Sequence, residues 1–336
     1  MKNDALKSTH IFLFLLLISH NTYSQTIGAK IRGQPFERYF TKDKFDRKIT
    51  FYLSETADKN AVLPLVVFIQ GSGCNSLFIK KEERIVSTAG FATIYDVFQD
   101  KARLLVIEKP GVNFLDDPAD CRQNTEFNRE HTLERWAGAI EAAISASVSL
   151  PRIRNDNALI IGHSEGGLAA ARAARDLPEK IGFAALLAGG GNSQLFDLIS
   201  LARKGYFFGN ISEAPEVRVR YVTEEWQKIL EDPMSSDKFF FGFAYRRWSS
   251  FLKTSPLEEL KDFKGKVYIG QGTADKAVDP ASADALNADL LASAKDVFYS
   301  RVENADHSFN IENDPAVNGW RKQFEQISKW FLSADR

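Results

Sequence analysis

The sequence predicts an α/β protein with a mostly parallel sheet flanked by helices and a helical insertion after the sixth strand. Three observations predict it. Six short, nearly continuous apolar runs recur along the chain, at Leu63 to Gln70, Arg103 to Glu108, Ala158 to Gly162, Phe183 to Leu187, Lys266 to Gly270 and Val297 to Val302. Strands covered by helices on both faces read this way. The segments between most of these runs carry apolar residues at intervals of three and four, the helical period. One connection, from Leu187 to Lys266, is far longer than a crossover requires. The 336 residues are 44% hydrophobic and 26% charged, enough apolar matter for a large core without dense disulfide stapling. A formal net charge of −1 gives no electrostatic reason to expect nucleic acid or an anionic surface as partner.

Taken in order, residues 1 to 24 read as a secretory signal peptide. Lys2 and Lys7 precede the apolar run Ile11 to Ile18, and Thr22 and Ser24 supply small residues before a cut at Gln25. The run is under half of the roughly 20 apolar residues that a membrane span needs, so no span is expected after cleavage. The expected compartment is periplasmic or extracellular. Next, Phe36 to Thr41 and Lys48 to Ser54 alternate apolar and polar residues around a charged turn, the pattern of an antiparallel hairpin with one solvated face. Helices are expected at Ala89 to Asp100, Thr132 to Ser147, Gly166 to Asp176, Ala281 to Ala292 and Ala316 to Leu332. Residues 25–191 and 263–336 then form the core, and 192–262 the insertion. That insertion holds 13 of the chain's 40 aromatic residues, densest at Tyr206-Phe207-Phe208 and Phe239-Phe240-Phe241. Most of these rings are expected to build a small core of their own, with the remaining faces offered to a pocket beneath.

Cleavage leaves three histidines, His131, His163 and His307, and both cysteines, Cys74 and Cys121. An even cysteine count in an exported chain favours a disulfide. Neither cysteine has a second Cys or His at ligand spacing, so zinc is not expected. No organic cofactor is expected either.

Chemistry concentrates in three loops. Gly162-His163-Ser164-Glu165-Gly166 is a G-x-S-x-G pattern, and its context carries the signal: a strand runs into it and the Ala-rich segment from Gly167 runs out as a helix. A serine hydroxyl is a poor nucleophile unless a base takes its proton and a carboxylate orients that base. Asp275 follows the strand beginning at Lys266, and His307 follows the strand beginning at Val297. Both loops leave the carboxyl edge of the sheet, in the order Ser, Asp, His.

In these motifs and their order the chain resembles the α/β-hydrolase superfamily, over nearly all of the mature protein. The resemblance implies Ser164 as nucleophile, His307 as general base and Asp275 as its partner, with the backbone N–H groups of Ser72 and Glu165 forming an oxyanion hole and Gly73 the alternative to Ser72. The superfamily usually has a His-Gly pair after the third strand, where this chain has Gln70-Gly71-Ser72-Gly73; a backbone donor needs no histidine. In that fold the strands preceding Cys74 and Cys121 are parallel neighbours, so a bridge across 47 residues would pin the oxyanion loop.

Each assignment has a rival. His163 sits inside the elbow, from which its ring cannot easily turn to Ser164. His131 opens a helix and is expected at the surface or as a cap. Asp279, before Pro280, is the alternative orienting acid, and Asp306 is expected to point away from His307. The Glu165 carboxylate is expected to be solvated or locally bonded. Arg246 and Arg247 are candidates for a substrate carboxylate or plain surface charges. Three functional readings follow: an exported serine hydrolase acting on a carboxylic ester, a peptidase acting on short peptides with Glu224-Glu225 receiving a free amino terminus, and a non-catalytic ligand-binding protein on the same fold.

Overall fold

The computed structural model describes residues 28–154, 156–312, 314 and 318–334, so the expected signal peptide at 1–24 lies outside the described residues. Its centre is a nine-stranded sheet. The chain enters through β1 (Ala29–Lys30), β2 (Phe36–Lys42), β3 (Lys48–Ser54) and β4 (Leu65–Ile69), then forms a small hairpin, β5 (Phe78–Lys81) and β6 (Arg84–Ser87). There follow α1 (Phe91–Phe98), β7 (Arg103–Ile107), a 3-10 turn at Cys121–Gln123, α2 (Thr125–Glu130), α3 (Leu133–Ser147), β8 (Ala158–His163), α4 (Glu165–Asp176) and β9 (Ile181–Leu187). Next come α5 (Gln194–Lys204), α6 (Pro215–Glu231), the two-residue strands β10 (Phe239–Phe240) and β11 (Phe243–Ala244), α7 (Tyr245–Phe251) and α8 (Pro256–Leu260). The chain returns to the sheet with β12 (Lys266–Gly272), α9 (Pro280–Ala292), β13 (Val297–Val302) and α10 (Gly319–Ala334).

Strand order is β1-β2-β3-β7-β4-β8-β9-β12-β13. The six strands from β7 to β13 are parallel, while β1, β2 and β3 pair antiparallel and β3 pairs antiparallel with β7. All six apolar runs are therefore parallel strands. Alternate residues divide between two cores, as the pleat demands. Leu65, Val67 and Ile69 of β4 pack with Trp136, Ile140, Leu168 and Leu286 from α3, α4 and α9. Val66 and Phe68 pack on the other face with Phe91, Phe98, Phe324 and Phe331 from α1 and α10. The expectation of one solvated hairpin face holds for half-buried β2 but not for β3, which lies between β2 and β7 and is buried along most of its length.

The segment between β9 and β12 has its own cluster, in which Leu198 and Ala202 of α5, Val222 and Ile229 of α6, and Phe240, Tyr245 and Trp248 pack together. Phe251, Leu260 and Phe263 instead join the core beneath. A second link is polar: Asp279, the N-cap of α9, accepts from Lys204 Nζ at 2.8 and 2.7 Å and from the Ser200 hydroxyl, both on α5.

Candidate active site

β8 ends in the turn that carries Ser164, whose φ of 55° and ψ of −127° lie outside the ordinary regions for a non-glycine residue. Such a conformation costs on the order of 1–3 kcal/mol and persists only where the surroundings fix it. Two glycines make the turn sterically feasible. A Cβ on Gly162 would strike the Gly166 carbonyl, and one on Gly166 would strike the carbonyls of Ile69 and Gln70 at the end of β4. The Ser164 N–H donates to Leu187 O at 2.9 Å, tying the turn to β9.

Asp275 and His307 meet at the carboxyl ends of β12 and β13. His307 Nδ1 lies 2.9 Å from Asp275 Oδ2, which also accepts from Gln271 Nε2 at 2.9 Å, while Oδ1 accepts the N–H groups of Ala277 and Val278 at 2.8 and 3.0 Å. Burial works to raise the Asp275 carboxyl, but His307 and the two backbone donors outweigh it and hold it below its ordinary value. A carboxylate at that point makes Nδ1 the donor and leaves Nε2 of His307 as the acceptor. Asp279, the rival acid, is engaged with α5, and Asp306 folds back on the N–H groups of Ser308 and Asn310. His163 lies under the site: its Nε2 donates to His307 O at 3.1 Å, and its ring stands edge-on to Trp320 with centroids 4.8 Å apart.

The loop after β4 is held from below. Lys109 Nζ donates to Gly71 O and, at 2.8 Å, to Gly73 O. The Cys74–Cys121 disulfide, with Cα atoms 5.6 Å apart, fastens the next residue to the 3-10 turn and packs with Val112, Phe127 and Phe243. Among the described residues no backbone acceptor takes the Ser72 N–H, and Glu165, first in α4, has no intrahelical acceptor for its own.

The Glu165 carboxylate departs from expectation. Far from solvated, it is buried in a cluster of four ionisable side chains drawn from separate elements. His131 Nε2 lies 3.0 Å and Lys109 Nζ 3.7 Å from Oε1, and Arg247 of α7 grips Oε2 with two donors, one at 2.9 Å. Burial alone would raise Glu165, but Arg247, Lys109 and His131 together hold it well below its ordinary value, so it is ionised. Burial pushes Lys109 down to about 8 and His131 down to about 4. A neutral His131 must donate from Nε2 to reach a carboxylate, which fixes its tautomer. His131 is therefore neither a surface residue nor a simple cap. Arg247 is a buried counter-ion, stacked 3.8 Å over the Trp248 ring, and not a surface charge. No local spacing in the sequence joins positions 109, 131, 165 and 247; only the packed fold does.

Ser72, Ser164 and His307 line two adjoining cavities. One, of about 620 Å³, runs past Asn75, Thr88, Asp117, Ser308, Asn310 and Trp320. The other, of about 360 Å³, is walled by Phe207, Phe241, Phe243, Trp248, Leu198 and Val278. Asp197 also borders the second; burial pushes its carboxyl well above the ordinary value, and Oδ1 accepts the Asp279 N–H at 3.1 Å. Neither cavity includes Glu224 or Glu225. Glu224 faces solvent and Glu225 pairs with Lys228 at 2.6 Å, so the carboxylates singled out for an amino terminus are not at the site.

Two comparisons place this architecture. The alpha/beta hydrolase family model matches residues 87–319, more than half of the chain, and the chain belongs to that family. Among solved structures, Est1E from Butyrivibrio proteoclasticus with ferulic acid bound is similar at a TM-score of 0.57 and 16% identity, over 88% of this chain and 99% of that one. The Pyrococcus horikoshii acylaminoacyl peptidase is similar at 0.60 and 14%, over 89% and 42%. A puromycin-hydrolyzing peptidase of Mycobacterium tuberculosis is similar at 0.58 and 15%, over 91% and 41%. The chain thus spans about two fifths of either peptidase. At these identities the likeness is one of fold. No curated protein sequence matches the chain.

Proposed function

We propose that this member of the alpha/beta hydrolase family is an exported serine hydrolase that cleaves a carboxylic ester through an acyl-enzyme. The observation that carries the reading is the Asp275–His307 contact at 2.9 Å, set beside a backbone-strained Ser164 where two cavities join. Ser164 Oγ attacks the ester carbonyl while His307 Nε2 takes its proton, and Asp275 steadies the imidazolium that forms. The N–H groups of Ser72 and Glu165 bear the charge on the tetrahedral oxygen. His307 then protonates the departing alcohol, and water hydrolyses the acyl-enzyme by the same steps in reverse roles.

An ester is favoured over a peptide because the aromatic cavity suits an apolar acyl part and the carboxylates Glu224 and Glu225 lie away from the site. The ferulic acid bound to Est1E, itself an aromatic acid, agrees with that preference. Export is supported by the Cys74–Cys121 bridge, and no helix of the described residues is long and apolar enough to cross a membrane.

The test is intact mass after exposure to a fluorophosphonate. The mature protein is expected to gain one adduct and Ser164→Ala none. A folded wild type that gains none would sink the hydrolase reading. Hydrolysis of aminoacyl amides in preference to ethyl esters would replace the esterase with the peptidase.

A further inference from the structure

β10 and β11 are joined by only two residues, Phe241 and Gly242, since Phe240 pairs with Phe243. Both have positive φ, 45° and 85°. Two-residue hairpins of this kind take Asn, Asp or Gly at the first position because a Cβ and bulky side chain are strained there. A phenylalanine in that position is unfavourable for the hairpin, a cost that packing on the Phe208 ring, with centroids 4.9 Å apart, offsets only in part because the side chain stays 47% exposed. Its position in the fold accounts for it. Phe241 borders the smaller cavity that reaches Ser164 and His307, with its ring centroid 5.1 Å from that of Phe207. The hairpin is not free to swing, because Trp248 Nε1 donates to Phe240 O at 2.6 Å and Trp248 stacks on Arg247, the counter-ion of Glu165.

We propose that Phe241 is a specificity-determining residue, kept in a left-handed turn so that its ring forms one wall of the subsite for a flat, apolar acyl group. The proposal rests on Ser164 as the nucleophile. The side of the ester follows from the proton path. The departing oxygen must receive its proton from His307, which borders both cavities; the polar residues that follow it, Ser308 and Asn310, line only the larger one, and the alcohol is placed there. The acyl group takes the aromatic side, where ring-on-ring contact rewards a planar substituent.

The experiment compares the mature wild type with Phe241→Asn, a residue the turn prefers, and Phe241→Tyr, which restores a ring. Readouts are the melting temperature and kcat/KM for ethyl acetate, benzyl acetate and ethyl 3-phenylpropanoate. Phe241→Asn is expected to melt no lower than wild type and to lose about tenfold or more in kcat/KM on ethyl 3-phenylpropanoate relative to ethyl acetate. Phe241→Tyr is expected to recover most of that loss. An unchanged ratio between the two esters, or an equal loss on both, would overturn the proposal, as would a loss confined to benzyl acetate. Binding of 3-phenylpropanamide to Ser164→Ala, followed by tryptophan fluorescence, separates the pocket from the chemistry. Adding Phe241→Asn is expected to weaken it about tenfold, and unchanged binding would overturn the assignment even if the wild type proved unreactive toward fluorophosphonate.

Discussion

Glu165 holds a full negative charge beside Ser164, and the fold spends three buried side chains on making that tolerable. Two of the site's histidines are equally committed. Burial holds both His131 and His163 at about 4, so each is neutral in the fold down to that pH, whereas in the unfolded chain each takes a proton near 6.5. Between those values the unfolded chain binds more protons. Stability therefore rises with pH through this window and is eroded on acidification from 6.5 toward 4, by on the order of 3 kcal/mol for each ring. Urea midpoints at pH 7 and pH 5 should differ accordingly, and His163→Asn should shrink the difference; a midpoint independent of pH would mean that the rings are not held neutral. Neither role was legible in the sequence. Ser164, Asp275 and His307 could be picked out because each follows its own strand at the same sheet edge. A histidine such as His131, whose partner lies 34 positions away, leaves no spacing to read.

Strands buried on both faces are the most legible elements of the chain, and the six apolar runs become six parallel strands nearly residue for residue, although β13, at the edge of the sheet, is only half-buried. The β5–β6 hairpin escaped because Lys80 to Arg84 is a charged run that reads as loop, and only Phe78 and Ile79 of β5 are buried. α2 escaped because six residues are too few to show a helical period. The link between α7 and α4 through Arg247 and Glu165 has an energetic signature. Arg247→Met alone leaves Glu165 without its strongest counter-ion and is expected to cost about 3–5 kcal/mol in chemical denaturation. Arg247→Met with Glu165→Gln removes the stranded charge and should recover most of the loss. Equal destabilisation in the single and double variants would show that packing of Arg247 on Trp248, and not its charge, is what matters.

Across the whole molecule, every group assigned to the reaction sits at the carboxyl ends of strands, and the aromatic insertion closes over that edge. The fold itself was legible because its strand pattern and its loops agree. The shape of the two cavities was not, since it depends on how Phe207, Phe241 and Phe243 come to rest against residues on the sheet. If residues 1–24 are removed on export, protein recovered outside the cytoplasm should begin at Gln25 with Cys74 and Cys121 oxidised, which intact mass before and after reduction reads directly. A mass retaining Met1 to Ser24 would count against cleavage there.

The grip of Arg247 on Glu165 also limits how this chain can be rebuilt. Helical insertions are natural units to exchange when a new substrate range is wanted, because they enter and leave the sheet at two points. Here the exchange is not modular. Any transplanted segment must deliver a cation to the same point beneath the elbow, or Glu165 must be neutralised in the same step; otherwise the graft strands a charge next to the serine it was meant to serve.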